Sequence, residues 1–184
     1  MNTTATTTAT RTKWTLDPSH SELLFKVKHL MISNVKGEFR KMNASIDMVG
    51  NDLSTAKAKV NIDAGSIFTN DDNRDKHLQG ADFFDAEKHP ELTFESTSFL
   101  GNTSDCKLTG NLTIKGVTKP VTLNVEFGGV NKDPWGNEKM GFSLTGTIHR
   151  KDWDLNWNAA LETGGVLVSD EVRISAEVQF LKQA

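Results

Sequence analysis

Apolar and polar residues alternate along most of this chain. Leu23, Phe25 and Val27 share one parity, while Glu22, Lys26 and Lys28 hold the other. The same period of two runs through Ala58, Val60 and Ile62, through Leu108, Leu112 and Ile114, and through Val121, Leu123, Val125 and Phe127. It returns in Met140, Phe142, Leu144 and Ile148, and in Val172, Ile174, Ala176, Val178 and Phe180. Side chains two apart share one face of a strand, so the pattern predicts a sheet with one greasy wall and one charged wall. Closed into a barrel, such a sheet can enclose an apolar ligand.

Eight main strands are expected, over residues 21–28, 36–48, 57–63 (extending towards 68), 91–99, 106–115, 118–128, 138–150 and 171–182. A short strand at 14–16, ended by Asp17-Pro18, and the segment 165–168 are candidate extras. The apolar parity changes between Phe39 and Ala44, as a β-bulge would cause. Residues 29–33 break the alternation and read as a helical turn, and 152–165 as irregular. One segment departs from the strand pattern altogether. Thr69 followed by Asp72 resembles a capping box and Gly80 is a natural stop, so a short polar helix is expected near 71–79. Residues 1–12, mostly Thr and Ala, read as a disordered leader, and 13–184 as one barrel domain without repeats or linkers.

The bulk numbers narrow the function classes. A chain of 184 residues with 36% hydrophobic and 24% charged residues buries a core without staples. The net charge of −3, with acids and bases mixed, offers no basic stripe for nucleic acid. No apolar run approaches the roughly 18 residues that span a bilayer. No hydrophobic signal region follows Met1, so the expected location is cytoplasmic for the chain as given, or periplasmic if a leader was removed. Cys106, the only cysteine, reads as a small apolar filler. Ten Phe and four Trp without one Tyr suit a dry lining or ordinary core packing. Periodicity alone does not distinguish a hollow barrel from a filled one.

Candidate chemistry is sparse. His20, His29, His77, His89 and His149 show no metal-binding or catalytic spacing, so no metal site and no catalytic residue is expected. Gly128-Gly129 and Gly164-Gly165 read as turns, because neither opens a helix. The polar helix gathers Arg74, Lys76 and His77, with Phe83, Phe84, Lys88 and His89 shortly after it. These cations either form a solvated face, offset by Asp71, Asp72 and Asp75, or meet an anionic head group at a barrel mouth.

Five stretches carry a resemblance to a known family: WTLDPSHSELLFKVKHL, NDDNRDKHLQGADFFDAEKHPELTFES, LTGNLTIKGVTKPVTLNVEF, GFSLTGTIHRKDWDLNW and GGVLVSDEVRISAEVQF. Over about residues 13–181 the chain resembles the YceI-like family, also called polyisoprenoid-binding or lipocalin-like. The resemblance implies an all-β, extended, eight-stranded antiparallel barrel with one short helix. It further implies a tunnel holding a long apolar chain, such as a polyprenyl or other isoprenoid lipid, and brings no established catalytic residues. The expected function is binding of a polyisoprenoid or related lipid or quinone, for storage, transport or sequestration, with no cofactor and no enzymatic activity. Members often carry a secretion signal. The inward parities nominate Leu23, Phe25, Val27, Val60, Phe94, Leu112, Val125, Phe142 and Ile174 as tunnel lining. Arg74, His77, Phe83, Phe84, Lys88 and His89 are nominated for the mouth.

Burial of each methylene contributes roughly 0.8 kcal/mol, so a tail of some 30–40 carbons would gain about 25–30 kcal/mol gross. Lost freedom of tail and ligand must offset part of this, because affinities saturate near roughly 18–21 kcal/mol. Two other readings stay open: an enzyme acting on an isoprenoid or quinone in the same tunnel, and a filled barrel serving as an interaction module. The expected partner is a lipid rather than nucleic acid, and a homodimer is left open.

Overall fold

The alternating segments pair with one another into a single antiparallel sheet that closes on itself. A computed structural model of the protein describes residues 9–102 and 104–184, and residues 1–8 of the expected leader lie outside this range. The strands are β1 (Arg11–Leu16), β2 (Glu22–His29), β3 (Ser33–Phe39), β4 (Met42–Val49), β5 (Asp52–Asp63) and β6 (Ile67–Phe68). After the helix α1 (Asp72–Gln79) come β7 (Glu91–Asn102), β8 (Asp105–Ile114), β9 (Val117–Lys132), β10 (Glu138–His149) and β11 (Val168–Lys182). Arg11 and Thr12, expected in the leader, belong to β1.

Eleven segments make an eight-stranded barrel because three of its strands are bent. β1 and β2 act as one strand, broken by a 3-10 turn at Pro18–His20, and β3 with β4 and β5 with β6 are bent likewise. Each half keeps its place in the ring: β1 pairs with β4, β2 with β3, and β3 with β6. The seam lies along β11, whose Val168–Glu177 stretch pairs with β2 and whose Phe180–Lys182 stretch pairs with β1. At the first bend Pro18 has no N–H for a ladder, and the Asp17 carboxylate accepts the Ser19 N–H at 3.1 Å.

Three expectations are corrected here. The strand expected over 36–48 is two strands, β3 and β4; its parity change marks the bend at Arg40-Lys41, not a bulge within one ladder. Residues 29–33 form the tight β2–β3 turn rather than a helical one, with Leu30 and Met31 at φ 52° and 59°. The helix is capped by Asp71, which accepts from Asn73 N and Arg74 N at 3.1 and 3.0 Å, not by Thr69. Thr69 instead donates its N–H and hydroxyl to the buried Asp75 carboxylate at 2.8 and 2.5 Å. A true bulge does lie in β7, where the register shifts between Ser96 and Ser98 and the inward parity moves from Phe94 to Phe99.

The two ends of the barrel differ. At one end Trp14, Met48 and Met140 are fully buried. Phe180, which pairs with Met140, belongs to an aromatic cluster around Phe142, whose ring centroid lies 6.4, 5.1 and 6.1 Å from those of Phe99, Phe127 and Phe180. These side chains make a floor. The other end carries the β2–β3 turn, α1 with the following segment 80–90, and the long connection 150–167 between β10 and β11.

Candidate functional site

The barrel is hollow. A cavity of about 610 Å³ runs between floor and far end, within the roughly 300–1,000 Å³ of small-molecule sites. Every bent strand contributes apolar side chains to it. The nine nominated lining residues, Leu23, Phe25, Val27, Val60, Phe94, Leu112, Val125, Phe142 and Ile174, all border this one space. Small residues keep it open: Ala44, Ala56, Ala58 and Ala176 also face it. At Gly37, opposite Phe25 on the neighbouring strand, an added Cβ would lie within 2.9 Å of three Phe25 ring carbons. The glycine thus lets the ring fold down against the wall instead of projecting into the lumen.

Apart from Ser96 and Thr145, within β7 and β10, most of the polar lining lies at the α1 end. Arg74, His77, Phe83 and Phe84 border the cavity there. Lys88 and His89, nominated with them, do not. Lys88 reaches Asp85 at 3.6 Å on the outside, and the His89 ring packs beside Gly116 in the β8–β9 turn. Arg74 is occupied by its own segment, since its Nε donates to Thr69 Oγ1 and its Nη2 to Thr69 O, both at 2.8 Å. His77 Nε2 lies 3.0 Å from Asp82 Oδ2. The His77 ring stands edge-on to Phe83 and Trp157, with centroids 5.1 and 4.8 Å away. Phe84 meets Phe39 edge-on at 5.7 Å. The helix is thereby tied to the 150–167 connection by aromatic contacts across the mouth.

Many residues of the cavity wall were not among those expected, and Arg150 is the charged one buried most deeply. Arg150 is only 4% exposed and borders the cavity. Its Nη1 donates to Leu155 O and Trp157 O at 2.5 and 2.8 Å, its Nε to Ser169 O at 2.9 Å, and its Nη2 to Val168 O at 3.3 Å. All four acceptors are neutral carbonyls. Burial draws its pKa below the ordinary arginine value, opposed by the charge of Asp170. The signal was present in the sequence: Arg150 continues the inward parity of Phe142, Leu144 and Ile148. Trp157, in irregular chain, had no such signal. Among the described residues no group of three or more His, Cys, Asp or Glu side chains gathers at metal-holding distance. No described helix is long and apolar enough to cross a membrane.

Comparison with known proteins agrees with this geometry. The profile of the YceI-like domain family matches residues 14–180. A UPF0312 protein of Staphylococcus aureus (strain bovine RF122 / ET3-1) is 44% identical over 170 residues, covering 92% of this chain and 97% of that protein. The Campylobacter jejuni YCEI protein has a solved structure with TM-score 0.74 at 38% identity, covering 85% of this chain and 90% of that one. A polyisoprenoid binding domain from Saccharophagus degradans, implicated in plant cell wall breakdown, shares the fold. It has a TM-score of 0.66 at 17% identity, covering 92% of this chain and 98% of that one.

Proposed function

We propose that this chain, which belongs to the YceI-like domain family, binds one long-chain apolar ligand inside its barrel. The ligand class is a polyisoprenoid or a related lipid or quinone, carried for storage, transport or sequestration. The observation that carries the reading is the cavity itself: about 610 Å³, walled by apolar side chains from all around the ring. An apolar tail would make dispersion contacts with the apolar side chains that wall a cavity of this size. The polyisoprenoid binding domain that shares the fold supports the ligand class. The tail would point to the Phe142 floor, with the head between Arg74, His77, Phe83 and Phe84 at the mouth. The role is binding, not catalysis.

The test is mass spectrometry of an organic extract of the purified protein, followed by uptake of a purified polyprenol. A near-stoichiometric long-chain lipid, or saturable uptake, is expected. If nothing is extracted and nothing is taken up, the reading fails.

A further inference from the structure

We propose that the β2–β3 hairpin docks the cavity mouth onto the surface of an anionic lipid bilayer. Its tip displays Leu30, Met31 and Ile32, which are 38, 53 and 82% exposed, and Val166 beside it is 39% exposed. Among the described residues these are four of the seven large hydrophobic side chains that remain exposed, gathered at one end of the barrel. Leu30 N donates to Leu167 O at 2.8 Å, which joins the tip to the chain around Val166. A turn built for water would place Asn or Gly at left-handed positions. Here Leu30 and Met31 hold them, with φ of 52° and 59°.

Behind the tip the outer wall is basic. Lys26 stands directly opposite Lys36 on β3 and Arg173 on β11. Like charges opposed across strands repel, so this row has no reason in the fold itself. Arg173 reaches Glu171 at 3.2 Å, but Lys26, Lys28 and Lys36 make no ion pair among the described residues. An apolar tip with a collar of unpaired cations is the chemistry of interfacial attachment. The apolar side chains enter the acyl boundary and the ammonium groups meet lipid phosphates.

His29 and Val35, on either side of the tip, border the cavity. The docking surface is therefore continuous with the mouth. Asp71 and Asp72 give the α1 side of the mouth the opposite charge, so the hairpin side approaches the bilayer and the α1 side tilts away. A second copy of this chain fits the patch less well, because a symmetric contact would set the two lysine collars against each other. The proposal does not depend on which ligand fills the barrel.

The experiment is co-sedimentation of the whole protein with phosphatidylcholine vesicles, with and without phosphatidylglycerol. Binding is expected to the anionic vesicles and to fall with added salt. Ile32→Asp should weaken it about tenfold or more, since it removes an inserting side chain and adds a repelled charge. Lys26→Glu should weaken it and flatten the salt dependence, whereas Trp135→Ser at the far end should leave it unchanged. Ile32 is exposed, so its variant keeps the fold, which circular dichroism verifies. Wild type that fails to bind anionic vesicles, or Ile32→Asp that binds them equally well, would overturn the proposal. So would an Ile32→Asp variant that dissociates an oligomer in light scattering without changing vesicle binding, because the tip would then be a protein contact.

Discussion

Arg150 is a buried cation whose hydrogen bonds among the described residues go to neutral carbonyls. Its guanidinium closes the 150–167 connection by donating to four carbonyls. Arg150→Ala should therefore cost about 2–4 kcal/mol in urea unfolding, because those buried acceptors lose their donors. Arg150→Lys should recover little of it, since an ammonium lacks the planar fork. Asp17 shows the opposite economy. Hydrogen bonds from Ser19, then Lys139 and His20, hold its carboxyl far below the usual carboxylate range, against the opposing effect of burial. The sign follows from linkage. A depressed folded-state pKa contributes stability that is full above the unfolded value of about 3.9 and drains away as the pH falls from there through the folded value. Asp17→Asn should lower the Tm at pH 7, and the gap to wild type should narrow steadily in melts below about pH 4. Neither role announces itself by residue type. Arg150 could be found by its parity, whereas the partners of Asp17 meet only because β1 and β2 bend where β10 passes.

At the scale of elements, alternation was a faithful guide wherever a strand keeps the same neighbours along its length, as β8 shows by its registers with β7 and β9. It misled where a strand changes partners. Residues 36–48 carry one long run of strand-like sequence, yet β3 faces β2 and β6 while β4 faces β1 and β5. Such a bend is decided by the ring, not by the local residues. The helix was legible from its polar run, but its first turn was not, because Thr69 and Asp71 can both cap. Asp71 caps, and the Thr69 hydroxyl is drawn to Asp75, which lies one turn inside the helix. Gly37 gives an element-level prediction. The three atoms nearest to a methyl there all belong to the Phe25 ring, so Gly37→Ala should push that ring into the lumen at a stability cost of about 1–3 kcal/mol. Titration with a polyprenol should show weaker binding or a shorter preferred chain. Unchanged binding would mean that the ring relaxes along the wall.

For the whole molecule, the sequence separated inside from outside but said nothing about volume. Hollowness comes from Ala44, Ala56, Ala58, Ala176 and Gly37 falling on inward positions of four strands, a coincidence that appears only once the registers are known. The floor residue Phe142 offers the sharpest test of the cavity's depth. Phe142→Trp should shift the bound lipids to shorter chains, and Phe142→Ala to longer ones, at a cost of about 3–5 kcal/mol for the deleted ring. Lipid profiles by mass spectrometry read the shift directly. If both variants lose stability and keep the wild-type profile, Phe142 packs the core without setting the length of the ligand.

The seam along β11 has a consequence for biosynthesis. It joins Trp14 to Lys182, and just beyond it Gln183 N donates to Lys13 O at 2.8 Å. A ribosome delivers the two sides of that seam far apart in time. Until Lys182 leaves the exit tunnel, the nascent chain is at best an open ribbon with its oily face uncovered, a state prone to aggregate and slow to resolve, because closure is the most non-local contact in the molecule. The vessel therefore comes into being only when translation of its last strand is complete, and whatever it carries is loaded after synthesis rather than wrapped during it.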